Sequence, residues 1–163
     1  YHFSNNKKNK FKSITIYNLE NIPKCSNVFV SVGEIDCRAE EGFIRASNKK
    51  GKNLNEIINI TVCSYIDWFL TQNIVNQHTY YFLNVPAPMY DSNYSKEIND
   101  KVARVVGLFN DSLLKKIVMS DTRMIDVYSH THDKTNFSNG LYHVDKRHLD
   151  NTIIPLIQDQ LNI

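Results

Sequence analysis

Three short runs of β-branched and aromatic residues interrupt an otherwise helical pattern of apolar and polar positions. Residues 28–32 (VFVSV), bounded by Ser26-Asn27 and Gly33, predict a buried strand. Residues 79–85 (TYYFLNV) predict a second, which Pro86-Ala87-Pro88 stops. Residues 123–128 (RMIDVY) predict a third, and the modest alternation of residues 13–19 (SITIYNL) reads as one more short strand. A helical stretch is expected after Asp36, then a loop over residues 48–53 (NKKGKN). Over residues 55–70, Ile58, Val62, Tyr65, Ile66 and Phe69 recur at helical spacing, with Trp68 on the flank. The longest periodic segment is 95–119. Its stripe of Ile98, Val102, Val105, Val106, Phe109, Leu113 and Ile117 is too wide for a coiled-coil seam and suits a helix lying on a sheet. A polar loop follows over 129–140. Residues 153–161 form a last helix, with Thr152 as its expected N-cap and Pro155 tolerated in its first turn.

Strands alternating with helices imply a parallel sheet with helices on both faces. Ligands of such sheets bind outside the carboxyl ends of the strands. Neither a repeat nor an internal boundary divides the chain, so residues 13–163 read as one α/β domain behind an arm over residues 1–12.

Composition narrows the function classes. The chain has 163 residues, 42% hydrophobic and 22% charged, with a formal charge of +2. That balance gives no field for nucleic acid or an anionic membrane. Lys7, Lys8, Lys10 and Lys12, interleaved with Asn5, Asn6 and Asn9, read as a solvated, flexible basic arm. No apolar stretch approaches the roughly 20 residues that span a bilayer, and the polar N-terminus carries no apolar leader. Cys25, Cys37 and Cys63 are too few and too irregular for a disulfide framework, which favours a reducing, cytoplasmic setting. Cys63 falls in an apolar helical pattern and reads as core packing.

Chemistry-bearing residues gather where strands end. Gly33 permits a sharp exit from the first strand or a close backbone approach. After it come Glu34, Asp36, Cys37 and Arg38. Asp36 either caps the next helix or faces a ligand; Arg38 either pairs with an acid or does the same. Pro86-Ala87-Pro88 shapes a loop wall. A third group follows the last strand, with His130, His132 and Asp133, then His143, Asp145 and His148. These could ligate a metal, although no standard zinc spacing is present. Alternatively Asp145, three residues before His148, holds the imidazole through Nδ1–H and leaves Nε2 to a nucleophile. By spacing alone, a surface turn with a capping Asp and an exposed His explains the pair better.

The segments VSVGEIDCR and HVDKRHL, taken together, resemble the third and fifth sequence blocks of the SGNH/GDSL hydrolase superfamily. The likeness is greatest to carbohydrate-linked members with a GEIDCR-type segment. NVPAP, and the helix bearing Phe109, Asn110 and Leu113, stand where such domains have their next strand and helix. The resemblance spans roughly residues 28–161. It implies a flavodoxin-like, three-layer α/β/α fold with a mostly parallel sheet. It also implies ester hydrolysis or acyl transfer on an O-acylated, carbohydrate-type substrate, without a cofactor, through Ser, His and Asp. By resemblance His148 is the general base and Asp145 its orienting acid, and Gly33, Glu34, Asp36 and Arg38 border the oxyanion region.

Two features depart from that pattern. The family's nucleophile lies in a Gly-Asp-Ser segment, and no such tripeptide occurs here; Asp91-Ser92 and Asp111-Ser112 lack the glycine and fall in other places. Ile35 stands where the commoner block has an Asn that donates to the oxyanion. Losing one such donor costs about 10²–10³ in rate. The strand that carries the serine would lie beside residues 28–32, and its absence leaves a hydrophobic edge. Either residues 13–19 substitute for it, or it belongs upstream of Tyr1, which is the preferred reading. The expectations are therefore an acyl hydrolase or transferase whose serine lies outside this sequence, or a non-catalytic binding domain of the same fold. Cys37 is a further candidate nucleophile.

Overall fold

A computed structural model describes residues 9–72, 77–120 and 122–161. Helix α1 (Lys10–Asn21) begins where the extended Asn9 accepts a hydrogen bond from the Lys12 amide at 3.0 Å. Strand β1 (Asn27–Ser31) ends at Gly33, and helices α2 (Glu34–Cys37), α3 (Gly42–Lys50) and α4 (Leu54–Gln72) lead to β2 (Thr79–Leu83). Helix α5 (Lys96–Val118), capped by Ser95, crosses to β3 (Arg123–Ile125). A short helix α6 (Tyr128–Thr131) follows at once. The chain closes with a 3₁₀ turn (Asn151–Ile153) that runs into α7 (Ile154–Leu161).

The three strands are parallel, in the order β1-β2-β3. Val30 lies opposite Phe82, and Phe82 opposite Met124. Because strand side chains alternate, β2 feeds both faces of the sheet. Tyr80 and Phe82 join Val30 in the main core, beneath α4 and α5 with Phe43 and Ile44 of α3. Tyr81 points the other way, into a smaller cluster with Ile125, Val127, Ile153 and Leu161. Both crossovers step along the sheet in one direction, so α4 and α5 share a face. The opposite face carries the final turn and α7. The architecture is mixed α/β, with a small parallel sheet between layers of unequal thickness.

Several expectations need correction. Residues 13–19 are helical: the Asn9 cap and the burial of Leu19, with Ile22 packed on the same core, override their β-branched character. Of the arm expected over residues 1–12, residues 1–8 lie outside the described ones, whereas Lys10 to Lys12 belong to α1. Lys12 is buried, its ammonium 5.7 Å from the centre of the Trp68 ring. Residues 48–50 of the expected loop complete α3. The third strand stops at Ile125, and residues 128–131 of the segment expected to be strand and polar loop form α6. Ile98 is exposed in the first turn of α5, while Val105, Val106, Phe109, Leu113 and Ile117 are buried as the stripe requires. Asp150, not Thr152, caps the last helical segment, by accepting from the Thr152 amide at 2.8 Å. Cys63 is only partly buried. Among the described residues no helix is long and apolar enough to cross a membrane.

Candidate functional site

The carboxyl ends of β1 and β2 open into a cleft of about 150 Å³. One wall is α2. Gly33 starts it at φ +115°, and a Cβ there would stand 2.3 Å from Phe109 Cζ, so the strand exit packs directly on the α5 ring. Glu34 and Arg38 face the cleft as a bidentate pair, Nε to Oε1 at 2.9 Å and Nη2 to Oε2 at 2.7 Å. Glu41 adds a second carboxylate at 3.5 Å. The hydrogen bond to Glu34 raises the Arg38 pKa further, against the opposing effect of burial. Arg38 thus takes its acid-pairing alternative while still lining the cleft. Asp36 is neither the cap of α2, a place Gly33 holds, nor part of the cleft lining. Its backbone is instead covered by Gly42, where a Cβ would meet the Asp36 carbonyl oxygen at 2.1 Å. Ile35 is exposed. Cys37 is buried, and burial, with Asp36 and then Glu34 adding to it, pushes its thiol well above the ordinary range. A thiol so held is a poor nucleophile, although Cys37 borders the cleft.

The second wall is Val85 to Met89, positioned by buried side-chain amides and a hydroxyl. Asn110 grips Val85 from α5, its Oδ1 accepting from Val85 N and its Nδ2 donating to Val85 O, each at 2.8 Å. Asn84 Oδ1 accepts from Val127 N at 2.8 Å and Tyr128 N at 2.9 Å, and its Nδ2 donates to Asp126 at 2.7 Å. Thr131 Oγ1 accepts from Ala87 N at 3.0 Å. These bonds satisfy the backbone where the Pro-Ala-Pro segment leaves the sheet. They also join the exits of β2 and β3. The only advance sign of them was polarity out of place: Asn84 ends an apolar strand, and Asn110 interrupts an apolar stripe.

The segment His143 to Arg147 closes the cleft. Lys146 pairs with Asp91 at 2.7 Å, and that bond, followed by the Asn93 amide, holds the Asp91 carboxyl low. His143 also lines the cleft. Bridges between His143 and Leu149 and between His132 and Ser138 fold the polar loop back on itself. At the tip of the first bridge, Asp145 Oδ2 meets His148 Nδ1 at 2.8 Å, while Oδ1 accepts from the amides of Arg147 at 2.7 Å and His148 at 2.8 Å. Asp145 is held at about 2, first by the His148 ring and then by the two amides. Both side chains are exposed, His148 to 73% and Asp145 to 55%. The carboxylate caps a turn and contacts the imidazole with the same group. His148 itself is not among the cleft-lining residues, although its neighbours Lys146 and Arg147 are.

The remaining histidines are dispersed. His132 stacks on Tyr128 with centroids 4.9 Å apart, and its Nδ1 bonds to the Asp133 carbonyl at 2.8 Å. Asp133 is occupied by Thr135 and Phe137. Among the described residues no three His, Cys, Asp or Glu side chains are grouped to hold a metal ion. A contact that spacing did not disclose is Ser138 Oγ to His143 Nδ1, at 2.8 Å. No family model matches the chain, and no curated protein matches it in sequence.

Proposed function

We propose that this chain supplies the histidine and aspartate of an SGNH/GDSL-type acyl hydrolase or acyltransferase acting on an O-acylated carbohydrate. The observation that carries the reading is the 2.8 Å bond between Asp145 and His148 beside a cleft at the strands' carboxyl ends. Asp145 fixes the ring with its proton on Nδ1 and stabilises the imidazolium that forms when Nε2 takes a proton. The serine comes from a segment beyond this sequence. Its seat is the outer edge of β1, which pairs only with β2 among the described residues. An apolar groove runs along that edge between β1 and α1, lined by Leu19, Ile22, Val28 and Val30. A parallel strand added there would leave the sheet on the same side as Gly33, at the end where the cleft opens.

The test is nitrophenyl acetate hydrolysis by a polypeptide extended upstream of Tyr1. His148→Ala lowers that activity by about 10²–10⁴, the usual contribution of a general base. Activity that survives the substitution rejects the role of His148.

A second reading, a non-catalytic glycan-binding or protein-binding domain of the same fold, draws on the exposed Ile35 and on His148 Nε2. Among the described residues no hydroxyl bonds to that nitrogen. Retained glycan binding with no hydrolysis in the extended polypeptide would favour it.

A further inference from the structure

We propose that Ser138 and His143 form a nucleophile–base pair on the rim of the cleft, so that this chain accepts an acyl group from an activated ester without His148. The proposal stands apart from the reading above, since it uses neither Asp145–His148 nor a serine from elsewhere.

The contact is Ser138 Oγ to His143 Nδ1 at 2.8 Å. Its direction depends on the tautomer of the ring. Gly140 N donates to Ser138 Oγ at 3.1 Å and fills one of its two lone pairs. If Nδ1–H also donated, both lone pairs would be filled and the hydroxyl proton would have no described acceptor. If the hydroxyl donates to Nδ1, its proton is satisfied and one lone pair stays free to attack. The second arrangement places the ring proton on Nε2, keeps a serine lone pair free and makes Nδ1 the base. It needs a neutral ring. Burial lowers the His143 pKa, against the opposing pull of Asp145, so the ring is neutral near pH 7. Ser138 is partly exposed. Its amide donates to the Pro88 carbonyl at 2.9 Å, and Pro88 and His143 both line the cleft. The Ser138 backbone is therefore tied to the cleft wall at Pro88, and its hydroxyl sits next to the cleft-lining His143.

The chemistry balances without a cofactor. Ser138 Oγ attacks the acyl carbon as its proton passes to His143 Nδ1. The bond to the leaving oxygen breaks, and the leaving group departs with the electron pair and takes that proton. Water then attacks the acyl-serine, gives a proton to Nδ1 and, as the Ser138 oxygen leaves, the ring returns the proton to it.

The experiment incubates the 163-residue chain with nitrophenyl acetate at neutral pH. It follows nitrophenolate release and locates the acetyl group by peptide mass analysis. Acetylation of Ser138 is expected. Ser138→Ala removes the label, and His143→Gln slows labelling by on the order of 100-fold. Circular dichroism confirms that each variant is folded. Should His143→Gln not fold, fluorophosphonate labelling of the unaltered chain decides, with Ser138 as the expected adduct. Acetate or phosphonate on other residues only, or on Ser138 at the same rate in folded His143→Gln, overturns the proposal. A failure here leaves the test of His148 in the extended polypeptide untouched, and the reverse also holds.

Discussion

At the scale of single residues, the site separates groups tied to one another from groups left able to react. Arg38 and Lys146 are committed to Glu34 and Asp91, whereas His143 and His148 each have one ring nitrogen held by a neighbour. Asp145 shows the effect of such holding most directly. Its folded value of about 2 lies below the ordinary 3.8, so the unfolded chain binds the proton more readily. Its contribution to stability is therefore present above the ordinary value and fades as pH falls towards 2. Carbon NMR of the carboxyl groups should find Asp145 titrating near 2, and Asp145→Asn or His148→Ala should abolish or raise that low titration. A titration at the ordinary position would mean that the contact is not kept in solution. Gly33 gives a prediction of a different kind. Its φ is +115°, and an added methyl group would sit 2.3 Å from Phe109 Cζ. Gly33→Ala should therefore cost about 1–3 kcal/mol in urea unfolding. The Asp145–His148 pair was legible in sequence because three residues of one turn suffice to make it. Ser138–His143 was not, because its contact depends on two bridges that fold a loop without hydrophobic periodicity.

At the scale of elements, side-chain amides take over where regular backbone pairing ends. Residues 126–128 resemble strand because they continue an alternating run, yet Asn84 takes the amides of Val127 and Tyr128 and turns them out of the sheet into α6. The apolar periodicity that reveals α4 and α5 says nothing about such captures. It also misleads at α1, where β-branched residues are helical because a cap and a buried face outweigh their propensity. Asn110 is the strongest of these ties, since it satisfies both polar groups of Val85 inside the core. Asn110→Leu should destabilise the protein by about 1–3 kcal/mol for each backbone group left unpaired. It should also loosen the wall from Val85 to Met89. Urea unfolding measures the first effect, and faster amide exchange at Val85 the second. Unchanged exchange at Val85 would show that the amide is held by other means.

At the scale of the whole molecule, the sheet is finished unevenly. β2 is paired on both sides and covered on both faces, whereas β1 has one unpaired edge among the described residues and places Phe29, 49% exposed, on the thinner side. Parallel sheets are normally buried on both faces, so this corner is where the molecule has least to hold it closed. Phe29 stacks on Tyr81 with centroids 5.3 Å apart, which partly shields the face but leaves the edge open. The order of amide exchange should follow. The amides of β2 exchange most slowly, through global unfolding, while alternate amides of β1, those directed away from β2, exchange through local opening and much faster. Extending the polypeptide upstream should slow those same β1 amides if a strand takes the edge, with little change in β2. Equal protection of every β1 amide in the 163-residue chain would mean that the edge is already covered, and the groove beside α1 would no longer be available to a serine-bearing strand.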